Sequence, residues 1–418
     1  MAKQNDFREF RYGWPVVAAS TLGIGLGMSP LPFYTIGVFA VALTKEFGWG
    51  MDQVMAAMPV FTIVALFMSP TIGFIADRFG ARKTALASVL FFGLTFMAFS
   101  FNNGSTAVYL GLWAMLAVVG AGTLPMTWTR AVNNWFHRNR GLALGMSLLG
   151  TGIFGALAKL YAASIIDTYG WQAAYWAVGA LPLLIALPVA FAFFRDTDDP
   201  KVAGKVARLR ADFPDHNAGQ SLGLSLKEAM GDYRFWLLAF AFILISFAVG
   251  GPIPNLEKLF ATKGFETQDA VILASFIGGA VLVGRLLGGY LLDRFWAPGV
   301  AFVLLSIPAV SCYLFQLEDL SYGMATLGVV ILGLGAGVEY DLMAYLVSRY
   351  FGMKNYAAIY GVLYGFFALG AGFGPYIMGV SFTNTGSYDE IMRYAMGAFI
   401  VGAVPLLFLG KYRDFSKA

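Results

Sequence analysis

The run Gly73-Phe-Ile-Ala-Asp77-Arg78-Phe79-Gly80-Ala-Arg82-Lys83 closes one apolar stretch and opens the next, and much of it returns later in the chain. Gly289-Tyr-Leu-Leu-Asp293-Arg294-Phe295 keeps the glycine, aspartate, arginine and phenylalanine at an offset of 216. A second pair agrees with the first. Gly120-Ala-Gly122 followed by Trp135-Phe136 matches Gly335-Ala-Gly337 followed by Tyr350-Phe351 at an offset of 215. Two gap-free matches at nearly one offset make the chain a tandem repeat, each half about 200 residues long.

Composition says what solvent the halves meet. Of 418 residues, 58% are hydrophobic and 12% charged, about half the charged share of a soluble domain. That excludes a cytosolic enzyme, a disulfide-stapled secreted scaffold and a disordered chain. The single Cys312 lies in an apolar run and can form no disulfide framework. Stretches of about 20 apolar residues, enough to cross a bilayer as helices, fall at 12–41, 53–76, 84–101, 106–134, 141–167, 171–194, 235–260, 269–291, 298–317, 321–348, 356–381 and 391–411. The expected fold is an all-α polytopic membrane protein of twelve transmembrane helices in two pseudo-symmetric six-helix bundles. The bundles are expected at 1–194 and 235–418, with 195–234 as a solvated cytoplasmic linker rich in Asp, Lys and Arg.

Charge position fixes the expected orientation. Twenty-one of the 28 Lys and Arg residues fall on the side that carries both chain ends, four (Lys45, Lys258, Lys263 and Arg393) on the other, and three (Arg130, Lys159 and Arg285) inside spans. Cytoplasmic loops carry the excess of Lys and Arg, so both termini are expected in the cytoplasm of a multi-pass protein of the cell inner (plasma) membrane. The polar start, Met1 to Arg11, precedes an apolar stretch too long for a signal peptide and without a small-residue cleavage site, so it is expected to be retained.

The segment 73–83 resembles, at each diagnostic position, the loop signature of the major facilitator superfamily. The resemblance implies alternating access between two bundles around a mid-membrane site. It also gives Gly73, Asp77, Arg78, Gly80, Arg82 and Lys83, with Asp293 and Arg294 of the repeat, a part in switching conformation. Physically, Gly73 lets helices approach, and Asp77 can meet the positive end of a helix or a nearby arginine. Arg11-Tyr-Gly-Trp-Pro15, Asn134-Trp-Phe136 to Arg140-Gly-Leu-Ala143 and Arg349-Tyr-Phe-Gly352 are similar to the monocarboxylate and oxalate/formate branch, which implies small organic anions carried with a proton.

Ionisable groups inside spans cost several kcal/mol unless paired or hydrated, so each is a functional candidate. Arg285 matches the branch's eighth-span arginine, which the resemblance assigns to a substrate carboxylate; an ion pair with Glu339 or Asp341 is the structural alternative. The aspartate that monocarboxylate carriers place four residues earlier is Val281 here. Acidic groups stand instead at Glu339 and Asp341 in the tenth span, about 200° apart around a helix. They are candidates for proton coupling. Lys159 in the fifth span is a candidate for substrate contact, pairing or snorkelling to the outer interface, and Arg130, near a cytoplasmic end, for snorkelling, a loop contact or ligand binding. Tyr356, Tyr360 and Tyr364 share one helix face by their i, i+4, i+8 spacing. Tyr34, Trp128 and Tyr340 lie on the first, fourth and tenth spans, which line the cavity in the resembled family. The substrate-binding set is therefore Arg285, Lys159, Tyr34, Trp128, Tyr340, Tyr360 and Tyr364. Glycine runs such as 284–288 lie inside apolar helices and read as packing surfaces.

No Walker-type loop, nucleophile motif or metal-ligand spacing occurs; His137 and His216 both lie in cytoplasmic loops. The expected activity is secondary active transport of a small organic anion by proton symport, without enzyme activity, cofactor, metal or nucleic-acid partner. The carrier is expected to be a monomer in membrane lipid. A proton-coupled efflux antiporter for drugs and a transport-inactive membrane sensor are the alternatives.

Overall fold

The computed structural model describes residues 7–214, 222–413 and 415, and these are helical almost throughout. His216, Lys3 and Lys417 lie outside the described residues. Among the described residues the one β-type pairing is an isolated bridge between Gly223 and Gly352. Among the described residues, ten helical runs are long and apolar enough to cross a bilayer. Two local features relate these ten to the twelve stretches expected.

The first stretch, 12–41, is broken. A helix Arg8–Gly25 stops, and Leu31–Phe47 restarts behind Pro30. Pro30 and Pro32 lack amide hydrogens, so the interrupted turn sits where two donors are missing anyway. Neither piece alone has the length and low charge of a crossing. The fifth and sixth stretches run together as 140–193. They are divided at Gly170, whose φ of +86° is a left-handed value that favours glycine. One residue thus serves where a loop was expected.

The chain divides into two compact units. One holds residues up to Leu224 together with Phe351–Val362; the other holds Ser225–Tyr350 and the residues from Leu363 onward. The helix Tyr356–Thr385 therefore begins in the first unit and continues in the second. The first unit has an aromatic core around Phe39, Phe99 and Tyr175, with Phe39 stacked on Tyr175 at 3.8 Å and Phe99 at 5.1 Å.

The linker is less solvated than its composition implies. It forms the helix Ala203–Asp212, with Val206 and Leu209 buried. Phe213 follows, buried between the guanidinium groups of Arg8 and Arg138 at 5.4 and 5.2 Å. The Tyr12 hydroxyl donates to Asp212 at 2.6 Å. A periodic apolar face on a short helix is easily overlooked inside a charged segment, and that face is what docks it.

The loops that join the fourth to the fifth and the tenth to the eleventh crossing are both tethered. Glu9, fully buried, accepts the backbone N–H groups of His137, Arg138 and Asn139 at 2.9–3.1 Å, just ahead of the helix Arg140–Leu181. Successive N–H groups at a helix start form a natural anion cradle. At the repeat position, 215 residues on, the contact is made by backbone alone: Leu224 N–H donates to Phe351 O at 2.8 Å, and Met353 N–H to Leu222 O at 2.7 Å. A side chain on Gly352 would collide with Gly223. Replacing Glu9 by Ala strands these donors and should cost about 2 kcal/mol or more, seen as a lower unfolding temperature in detergent. Glu9→Gln should recover part of it, because one acceptor oxygen remains.

Candidate functional site

In the second unit the helices Thr267–Arg294 and Tyr322–Tyr350 pack against each other along glycines. A side chain on Gly337 would collide with the Val281 carbonyl oxygen, and one on Gly284 with that of Leu334. Small residues four apart let helix backbones approach closely in a bilayer. The approach brings Arg285 against Asp341, Nη1 to Oδ1 at 3.4 Å, with side-chain exposures of 4% and 0%. The carboxylate missing at position 281 is thus supplied from the neighbouring helix.

Aromatic groups surround this pair. The Arg285 guanidinium lies over the Tyr340 ring at 5.7 Å, within cation–π range. Tyr340 is 6.1 Å from Tyr364 and 4.8 Å from Phe367. The Phe367 carbonyl accepts from Ser246 at 2.9 Å, which ties the wall to the helix Tyr233–Gly250. Arg285 Nε, Asp341 Oδ2 and Glu339 Oε1 are buried without a hydrogen-bond partner. Glu339 is 3% exposed, close enough to Arg285 to feel its charge, and forms no ion pair among the described residues. A buried set of one cation and two carboxylates with polar atoms left over can exchange an ion-pair partner for an incoming anion.

The first unit gathers a different cluster near the ends of its helices. Arg130 is buried and pairs with Asp77 at 2.9 Å and with Asp196 at 3.0 Å. Asp77 also accepts the backbone N–H groups of Ala357 and Ala358 at 3.2 and 2.9 Å, at the start of the helix Tyr356–Thr385. Both partners foreseen for Asp77 are therefore present. Gly73 makes this possible, since any side chain there would collide with Ala357. Tyr356 shares a 3.0 Å hydrogen bond with Thr129, and Ser69 donates to Gly361 O at 2.9 Å. Asp196 accepts from Asn134 as well. Burial pushes the Asp196 carboxyl above its ordinary range, while Arg130 pulls it back.

The remaining loop residues spread out. Gly80, with φ +96°, ends the helix Ala57–Phe79. Arg82 donates to Phe191 O at 2.6 Å, Arg78 lies over the Phe79 ring, and Lys83 is exposed. Arg294 lies over Tyr290 at 4.1 Å. Its neighbour Asp293 exerts its charge on Arg349.

The other expected binding residues take varied positions. Trp128 is fully buried, 4.4 Å from Phe194 and seated on Gly23; protein fills its surroundings. Tyr360 is buried against Tyr356 in the first unit at 5.9 Å, while Tyr364 joins the second. Tyr34 is 44% exposed and its ring rests on Gly155. Lys159, one turn beyond Gly155, is exposed as well. It lies about 100° and 160° around the helix from Leu160 and Leu157, which are 68% and 54% exposed. Lys159 is thus on the Tyr34 side of the helix, away from the most exposed leucines. Among the described residues no group of three or more His, Cys, Asp or Glu is placed to hold a metal.

Repeated sets of bilayer-length helices with charges paired between them define a polytopic membrane protein. The chain belongs to the Major Facilitator Superfamily, whose family model matches residues 22–375. It is integral to a membrane and is a transporter, not an enzyme. The benzoate transport protein of Acinetobacter baylyi is 24% identical over 378 residues, covering 83% of this chain and 78% of that one. Human monocarboxylate transporter 10 is 24% identical over 404 residues, covering 91% and 76%. Among solved structures, the human organic anion transporter MFSD10 superposes with a TM-score of 0.72 over 94% of this chain and 99% of that one, at 14% identity.

Removing the shared cation of the first unit tests its network. Arg130→Ala leaves two buried carboxylates facing each other and should cost about 3–5 kcal/mol, read as thermal unfolding in detergent. Adding Asp196→Asn should restore part of the loss; no recovery would mean that the two carboxylates do not interact through Arg130.

Proposed function

We propose that this transporter carries a small organic anion, a mono- or dicarboxylate or an aromatic acid, across the cell inner membrane by proton symport. The observation that carries the reading is the buried Arg285–Asp341 pair at 3.4 Å. An arginine has a fixed charge and a planar fork suited to carboxylates. A carboxylate already resting on it is a stand-in for the cargo. When the cargo takes Arg285, Asp341 is left buried without its counter-ion, and a proton replaces it. Cargo and proton then enter the site together, which is the elementary requirement of symport.

Alternating access supplies the rest. The head of the helix Tyr356–Thr385 is held by Asp77, Thr129 and Ser69, all of the first unit, while its remainder belongs to the second. If the two bundles rock as bodies, the helix Tyr356–Thr385 must bend between its head and its remainder, so Gly73, Asp77 and Arg130, which hold the head, regulate which side opens. Lys159 and Tyr34 offer a second polar surface for cargo. Both termini lie in the cytoplasm by the distribution of Lys and Arg, and the carrier works as a monomer in lipid. Support from relatives is at the level of cargo class: the names of several speak of benzoate or monocarboxylates.

Two substitutions test this in proteoliposomes with an imposed pH gradient and radiolabelled benzoate, lactate and succinate. Arg285→Ala should reduce uptake at least 100-fold, the loss expected for a desolvated charge-assisted contact of about 3 kcal/mol; retained uptake would remove Arg285 as the anchor. Asp341→Asn should permit exchange of labelled for unlabelled anion but abolish accumulation driven by the gradient. Uptake by the wild type that ignores the gradient would overturn symport.

A further inference from the structure

The symport reading leaves two acidic groups, Glu339 and Asp341, for one role. We infer that Glu339 stays a neutral carboxylic acid throughout the cycle and donates a hydrogen bond to the cargo, while the coupled proton is carried by Asp341 alone. The inference rests on the proposed anion site and assigns roles within it.

Charge counting separates the two residues. The site holds one cation and two carboxylates, each 3% exposed or less. Asp341 lies 3.4 Å from Arg285 in an ion pair. Glu339 has no ion-pair partner among the described residues, and its Oε1 is buried without a hydrogen bond. Among the described residues, the elements packed against the helix Tyr322–Tyr350 bring no other ionised group to its middle, where Glu339 sits; Asp293 acts on Arg349 in its last turn. Within Thr267–Arg294 the charged residues besides Arg285 are Asp269, Asp293 and Arg294, all in its terminal turns. Ala297–Ser306 has none, Pro308–Leu314 offers only Cys312 and Tyr313, and Tyr233–Gly250 carries Arg234 in its first turn. Tyr364 meets Tyr340 from the helix Tyr356–Thr385. Tyr340 itself separates the two acids along their own helix.

A second buried negative charge without a cation is far costlier than a neutral carboxyl group in the same place. The resting site is therefore Arg285 positive, Asp341 negative and Glu339 protonated, with no net charge. The bound site is Arg285 positive, cargo anion negative, Asp341 protonated and Glu339 protonated, again with no net charge. One anion and one proton enter, the proton bonds to an Asp341 oxygen, and both leave as Asp341 pairs with Arg285 again. Glu339 keeps its own proton in both states. Its O–H is then a donor for a carboxylate or hydroxyl oxygen of the cargo held by Arg285.

Infrared difference spectroscopy of the purified transporter at pH 7, without cargo, reads the proton on Glu339 directly. The expected spectrum contains the C=O stretch of a protonated, buried carboxyl group that shifts in D2O and disappears in Glu339→Gln. Absence of that band in the wild type, or its survival in Glu339→Gln, overturns the assignment and leaves the anchor role of Arg285 standing. In proteoliposomes with labelled lactate or benzoate, Glu339→Gln should raise KM less than Glu339→Leu does, because an amide also donates, and should leave the number of protons moved per anion unchanged. Glu339→Leu should raise KM about tenfold or more without altering the number of protons moved per anion. Loss of proton coupling in Glu339→Gln would overturn the assignment. If the wild type moved neither acid, the symport reading itself would fail, and the infrared band would still decide the state of Glu339.

Discussion

A charged group deep within a membrane-spanning helix is tolerable only with a partner, and that constraint organises both halves of this protein. Arg285 and Asp341 meet because glycines at 284 and 337 let two long helices come almost into backbone contact. A larger residue at either place would separate the charges and leave each without compensation. The glycines and the ion pair are therefore one feature: the first sets the distance, and the second makes that distance worth keeping. The aromatic wall of Tyr340, Tyr364 and Phe367 shields the pair and lowers the local dielectric, which strengthens it.

The two halves share a plan and differ in chemistry. In the first, Arg130 is held between Asp77 and Asp196, and Asp77 also receives two N–H groups at the head of the helix Tyr356–Thr385. In the second, the position of Arg130 is taken by Tyr345, and the cation Arg349 lies over the rings of Tyr345 and Tyr412 at 5.4 and 5.0 Å. Both halves thus set a carboxylate near the cation, Asp293 acting on Arg349 in the second, and there aromatic faces are added to it. The tethered loops do differ, Glu9 serving in one and a backbone pairing in the other. A duplicated frame keeps its helix packing because the bilayer enforces it, while contacts at the polar ends are free to diverge.

Much of the candidate site is legible in the sequence, because in a membrane a charge announces itself. Arg285, Glu339, Asp341 and Arg130 stand out in apolar runs whatever the packing, and the repeat of 73–79 at 289–295 gave the two halves. Other residues gave no such signal. Glu9 sits among polar residues at the edge of the first helix, and nothing in its surroundings marks it as the acceptor of three N–H groups from a loop 128 to 130 residues away. Asp196 looked like one more linker charge. Trp128 lies on a span that lines the cavity in the resembled family, yet its ring is packed between Phe194 and Gly23. Aromatic residues serve packing and binding alike, so their position on a helix cannot separate the two uses.

By itself the sequence determined the solvent, the all-helical class, the repeat and the shortlist of buried charges, since each follows from local composition or from spacing along the chain. Tertiary structure alone decided the pairing. Arg285 chose Asp341 over Glu339, Asp77 acquired both an arginine and a helix start, and the linker docked through Leu209 and Phe213. Partner choice depends on which helix faces which and how closely, a distance set by glycines far apart in the chain. No window of sequence contains that information.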